Sequence, residues 1–300
     1  MRIAITAPTG HIGSKLVDLL KKDGSHELVL LARHPEKLAD VASLRATVVK
    51  TDLEDGAAFA SATRGAEALF LLIPPKFDAP EFRAYQRQVI ANAVAAVRAN
   101  DIQRVVLISS IGAQHASGTG PIAGLHDAEE ALKSIVPYLT ILRPSSFMEN
   151  LLMHGPTIAS QAAIFSPIPL ETAQSLIATQ DIAAAAARSL LGPAPAGVEV
   201  IELAYPKPYN QSEIATAIGH GMGRELKAIP VPGAALAQGL VNFGASESVA
   251  ASMGEMYQAA ERGLLQFEAP ASVVATPTSL EAFVGSTLAP ALGAPSTAAS

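Results

Sequence analysis

The sequence has no cysteine among its 300 residues, which removes disulfides, thiolate catalysis and cysteine-based metal sites together. Its seven histidines are scattered, with no His-Glu-x-x-His spacing, so neither structural nor catalytic zinc is expected. Positive charge is also scarce: 21 Lys and Arg against 27 Asp and Glu give a formal net charge of −6. Without a Lys/Arg-rich tract there is no electrostatic footprint for nucleic acid, which is not expected as a direct ligand. No uninterrupted apolar run approaches the roughly 18 residues that span a bilayer, so no membrane association is expected. Residue 1 leads straight into the first apolar run and leaves no room for a signal peptide; the expected location is the cytoplasm.

What is present begins at once. Ile3-Ala4-Ile5-Thr6 is a short apolar run that breaks into Ala7-Pro8-Thr9-Gly10 and resumes as an amphipathic helix from His11, Ile12 and Gly13. A strand, a tight turn and a helix start aim free backbone N–H groups and a helix dipole at one point, which suits a diphosphate. Gly10 lets the backbone approach such a ligand, and Gly13 lets helix and strand lie close. About twenty residues on, Glu27 to Ala32 reads as a second buried strand, where an NAD-binding unit carries an acidic residue for the ribose. Arg33 stands there instead. A guanidinium can hold a 2′-phosphate that a carboxylate would repel, so the pattern points to NADP(H), with His34 and Lys37 close enough to reinforce it. The alternative is that Arg33 merely begins a solvated loop.

Apolar strands and helical segments then alternate. Strands are expected at 47–50, 68–73, 104–108 and 139–142, and the clearest helix runs from Phe82 to Asn100 with Val89, Ile90, Ala93, Val94 and Val97 on one stripe. This rhythm predicts a doubly wound parallel α/β sheet of the Rossmann type, with ligands over the carboxyl ends of its strands. Residues 1–150 form the expected nucleotide domain. Residues 178–204 return to it through a helix capped by Asp181 and a last sheet strand, Val198 to Leu203. Residues 151–177 and 205–290, punctuated by prolines, are expected as a smaller, mostly helical substrate-covering region, and 291–300 as a frayed tail. The alanines of 183–187 are read as tight helix packing.

Three stretches resemble the NmrA-like members of the atypical short-chain dehydrogenases/reductases. They are Thr6 to Gly13 with Arg33 after the second strand; Glu129-Glu130-Ala131-Leu132 with Tyr138 to Pro144 and Phe147 to Asn150; and Ile177 to Ala183. The likeness spans roughly the first two thirds of the chain. Two departures matter. Ala7 stands where the loop's first glycine usually is, tolerable if its φ is below zero. The Tyr-x-x-x-Lys pair that usually protonates substrate in this superfamily is absent, since no tyrosine occurs from Gln86 through Pro137.

His126 is therefore the candidate acid, held as imidazolium by Glu129 or Glu130 one turn on; otherwise it is a solvated helix start. Ser109 and Ser110 end the fifth strand, where the resemblance implies orientation of substrate and nicotinamide ribose; otherwise they are turn formers. The resemblance also implies adenine contacts from Asp52 and Leu53, whose alternative is a helix cap and a core leucine. Leu72, Ile73 and Pro74 would wall the neighbouring ribose, and Lys76 could reach the cofactor or solvent. Phe147, Met148, Met153 and Phe165 follow the sixth strand and would overhang the nicotinamide, suiting a flat apolar substrate, or else serve as core. Tyr138 is expected to be structural.

Two functions compete on this reading. One is an NADP(H)-dependent oxidoreductase reducing a small apolar carbonyl or quinone. The other is an NADP(H)-binding redox sensor acting through a protein partner, which the missing Tyr-x-x-x-Lys pair favours. A homodimer is possible under either.

Overall fold

The computed structural model describes residues 1–43, 45–195 and 197–293. Its first half alternates strand and helix. β1 (Arg2–Thr6), α1 (His11–Asp23), β2 (Glu27–Ala32), β3 (Ala46–Lys50), α2 (Gly56–Ala62), β4 (Ala68–Leu71) and α3 (Phe82–Ala99) come first. Next are β5 (Arg104–Ile108), α4 (Ile122–Lys133) and β6 (Tyr138–Pro144). The chain continues through β7 (Ser146–Phe147), a 3-10 turn (Met148–His154), α5 (Gly155–Gln161), β8 (Ala163–Ser166) and β9 (Leu176–Ile177). It re-enters the sheet by α6 (Thr179–Leu191) and β10 (Gly197–Ala204). Then come α7 (Gln211–Met222), β11 (Lys227–Pro230), α8 (Gly233–Asn242), α9 (Glu247–Glu261), β12 (Val274–Ala275) and α10 (Leu280–Phe283).

Eight parallel strands form the main sheet in the order β12-β10-β6-β5-β4-β1-β2-β3. The expected doubly wound Rossmann fold is the fold observed. Helices cover both faces, so the central strands are apolar on both sides, and Ile3, Ala4 and Ile5 are fully buried. On one face α1 contributes Ile12, Leu16, Val17 and Leu20, packed against the small side chains of Ala183, Ala186 and Ala187 from α6. Truncating the buried Leu16 to Ala would cost about 2–5 kcal/mol. On the other face α2, α3 and α4 pack Phe59, Val89, Ala93, Val97 and Leu132 onto the sheet. A separate apolar core gathers Met148, Ile164, Tyr209, Ile214, Phe283 and Leu288 from the segments after β6 and after β10.

Two expectations are corrected. Asp181 does not cap α6. Ala178 occupies that position, and the Asp181 carboxylate accepts bonds from the Thr278 N–H (3.0 Å) and hydroxyl (2.8 Å). The 198–203 strand is not the last of the sheet, because β12 pairs beyond it at Leu203 and Ala204. Ala291 ends a short helix and Leu292 packs on the second core; the rest of the tail expected at 291–300 falls, from 294 on, outside the described residues.

Candidate functional site

Strand order reverses at β1, whose neighbours are β2 on one side and β4 on the other. In an open α/β sheet the crevice beyond the strand ends at such a point receives the ligand. The Thr6 hydroxyl accepts the Leu72 N–H (2.8 Å) and donates to its carbonyl (2.9 Å), tying the end of β1 to the chain leaving β4.

The turn after β1 is tight. The Gly10 N–H donates to the Ala7 carbonyl (3.1 Å), and a Cβ built on Gly13 would lie 2.1 Å from that same oxygen. Only glycine fits there. Ala7 departs from expectation, because its φ is +48° and not below zero; an L-residue here carries roughly 1–2 kcal/mol of left-handed strain. α1 has no side-chain cap at Gly10 and no acidic residue in its first turn. The amides of His11, Ile12 and Gly13 have no intrahelical acceptors, and the dipole adds partial positive charge. A diphosphate fits this donor set, with Thr9, Gly10 and His11 exposed around it and Ile12 and Gly13 buried behind.

Beside this turn lies an array of charges. Arg33, Lys37 and Asp52 are exposed at the ends of β2 and β3, and Leu53 is 8% exposed, facing the α2–α3 core. Leu72, Ile73 and Pro74 are half-buried. Lys76 is half-buried. It pairs with Glu54 at 2.6 Å, and the hydrogen bond and charge of that carboxylate hold its pKa above the ordinary lysine range. His34 pairs with Glu36 at 3.1 Å.

At the ends of β5, β6 and β10 the apolar rows give way to a buried polar layer. The Ser109 hydroxyl donates to Glu129 (2.5 Å), and Arg143 clamps both Glu129 oxygens through Nε (2.9 Å) and Nη2 (2.7 Å). Ser109, Glu129 and Arg143 are at most 3% exposed. Burial works against the guanidinium's charge, but the Glu129 and Glu268 carboxylates outweigh it and raise its pKa. Arg143 Nη1 reaches Glu268 (2.5 Å), whose own N–H, with that of Ala269, donates to the buried Glu202 carboxylate. The segment after α9 is thereby fixed over these strand ends.

The expected partnership of His126 with glutamate is corrected. Glu129 is taken by Ser109 and Arg143, and Glu130 by Lys133 at 2.6 Å. That hydrogen bond holds the Glu130 carboxyl below its usual range, with His126 a lesser cause. His126 instead rests its Nδ1 on the Ala113 carbonyl at 2.8 Å, in the loop that follows β5. Ser109 lends its hydroxyl to Glu129 in the buried layer. Met148 is a further correction: it is fully buried in the second core and offers no surface to a substrate. Phe147 and Phe165 are half-buried and Met153 is 66% exposed.

Sequence reasoning overlooked the buried Glu129–Arg143 pair although both residues stood inside quoted motifs. The signal was there: Arg143 continues the buried row Leu139, Ile141, and Glu129 shares a helix face with Leu132. A charge on a buried stripe demands a buried partner. It also overlooked Glu149, which accepts the N–H and hydroxyl of Thr179 and the Lys15 ammonium (3.2 Å), joining α1, the turn after β7 and α6. Among the described residues no cluster of three or more His, Asp or Glu could hold a metal ion, and no helix is long and apolar enough to cross a membrane.

A family model described as NAD(P)H-binding matches residues 8–193 of this chain. The chain is 25% identical over 255 residues to the NAD(P)H azoreductase of Xenophilus azovorans, covering 85% of this chain and 86% of that protein. It is 28% identical over 269 residues to quinone oxidoreductase 2 of Escherichia coli strain K12, covering 85% and 90%. Its fold matches the solved structure of the Escherichia coli NADPH-dependent quinone oxidoreductase complexed with NADPH, with a TM-score of 0.74, 25% identity, and 94% and 98% of the two chains covered. The matched family span opens inside the glycine turn and closes just after α6.

Proposed function

The chain belongs to the NAD(P)H-binding family and is an NAD(P)H-dependent oxidoreductase; from that premise we propose that it uses NADP(H) to reduce a small, mostly apolar carbonyl or quinone. The observation that carries the reading is the turn at Ala7–Gly13, where a 2.1 Å approach excludes any side chain at Gly13 and leaves helix amides free for a diphosphate. Thr9, Gly10, His11, Ile12 and Gly13 hold that group. Arg33 and Lys37 take the 2′-phosphate, as exposed cations at the end of β2. Asp52 faces the adenine, with Leu53 packed in the core behind it, and Leu72, Ile73 and Pro74 wall its ribose.

Bound there, the reduced nicotinamide supplies a hydride. The chain's own part is to place the acceptor and manage one proton. Phe147 and Met153, with Phe165, give the apolar surface for a flat substrate. His126 gives the proton. With Nδ1–H committed to the Ala113 carbonyl, Nε2 is the ring nitrogen left to pass that proton on. A quinone needs this help less than an aldehyde, because its developing hydroquinone anion is already stabilised.

Consumption of NADPH against a panel of quinones and aldehydes tests the reading. Quinone turnover is expected, and His126→Ala should lower aldehyde turnover by about a hundred-fold, quinone turnover by less, and NADPH affinity scarcely at all. If no acceptor is reduced while the nucleotide binds tightly and changes the protease resistance of residues 147–179, the protein is a redox sensor instead.

A further inference from the structure

Among the described residues, two loops flank the crevice beyond β3 and β4, and neither has a ladder partner at its tip. Loop carbonyls in such places ordinarily turn to water. Here three of them are captured by side chains of a single helix. Asn92 of α3, 8% exposed, donates to the Leu53 carbonyl (2.8 Å) and the Glu54 carbonyl (2.9 Å), while its own oxygen accepts from Gln88 (3.0 Å). The loop sits so closely on this amide that a Cβ on Gly56 would lie 2.6 Å from Asn92 Oδ1. Tyr85, two helical turns earlier, donates its hydroxyl to the Pro74 carbonyl (2.8 Å), and its ring stacks on Phe82. The Lys76–Glu54 pair bridges the two loops, with the Lys76 ammonium 5.8 Å from the Tyr85 ring centroid.

We propose that Tyr85 and Asn92 are positioning residues for the adenosine half of the nucleotide, one helix fixing both walls of its pocket. The inference rests on assigning the nucleotide to this crevice. Asn92 sets the backbone of Leu53 and Glu54, and Tyr85 sets that of Pro74, so the spacing between Leu53 and Ile73 is decided by α3. The Glu54–Lys76 pair then closes the far side. The phenol stays a donor throughout the neutral range, since burial first and the Glu54 carboxylate second push its pKa up to about 12, with Arg33 opposing and Asp52 adding. Pre-organised walls spare the ligand the cost of ordering two loops, which is where affinity is gained without a direct contact.

Calorimetric titration of the full chain with two half-molecules tests this. Adenosine 2′,5′-bisphosphate probes the adenosine half, and reduced nicotinamide mononucleotide probes the other. Tyr85→Phe, which removes one oxygen, and Asn92→Leu, which keeps size but loses the donor without adding charge, should each weaken the bisphosphate by roughly ten-fold. Binding of the mononucleotide should be unchanged, and with NADPH the KM should rise while kcat holds. Variants that bind the bisphosphate as tightly as the unmodified protein would overturn the proposal. So would equal loss of both half-molecules together with a lowered thermal midpoint, which marks a merely structural role. An unmodified protein that binds neither half-molecule would instead overturn the assignment of the crevice itself.

Discussion

Gly13 and Ala7 are two sides of one contact. The Ala7 carbonyl points where a Gly13 side chain would stand, and it points there because Ala7 has turned into the left-handed region. Gly13→Val should therefore abolish NADPH binding, read by fluorescence titration, while the second core around Tyr209 and Phe283 keeps its protection from hydrogen exchange. Ala7→Gly should relieve the strain and raise stability by about 1 kcal/mol in urea denaturation, with binding retained. Arg33 tests the preference between cofactors. NADPH should bind roughly ten-fold or more tightly than NADH, and Arg33→Ala should erase most of that difference; equal affinities in the unmodified protein would remove the 2′-phosphate assignment.

The end of β6 meets α4 through charge. Removing one partner of a buried ion pair strands the other, so Arg143→Met should destabilise the protein by about 3–5 kcal/mol in denaturant titration. Pairing it with Glu129→Met should restore a large part of the loss. This layer also shows what could be read from the sequence. Strand positions follow from buried apolar runs, which is why β1 to β6 fall close to where periodicity puts them, and the glycine turn follows from steric need. Asp181 was read as a cap because Asp commonly is one; it is recruited by Thr278, 97 residues away, and no local pattern contains that information. Glu130 faces His126 in spacing but Lys133 in space, one of several turn-related choices that only packing decides. Met148 carried the right chemistry for a ligand wall and went to the core because the chain bends after β7.

Acid should loosen the packed molecule at His154. Burial holds its pKa below the ordinary 6.5, so between 6.5 and the folded value the unfolded chain binds more protons than the native one. Stability is then present above pH 6.5 and is lost as pH falls through that window. Thermal midpoints measured at pH 7 and pH 5.5 should show the decline, and His154→Asn should make it shallower.

The order of strands also sets a timetable for synthesis. Residues 1–108 contain β1 to β5, already adjacent as β5-β4-β1-β2-β3, so the glycine turn, Arg33 and the two loops held by α3 exist early. The apolar stripe of α1 does not yet have its cover. That cover is α6, which ends at Leu191, and at about 5–20 residues per second the ribosome needs roughly 4–17 s to make residues 109–191. During that interval the growing chain carries a nearly finished nucleotide crevice on one edge and, on one face, the side of α1 that the alanines of α6 will cover. A nucleotide captured then would steady the first half from the front, while the exposed stripe behind it would be the surface a chaperone meets.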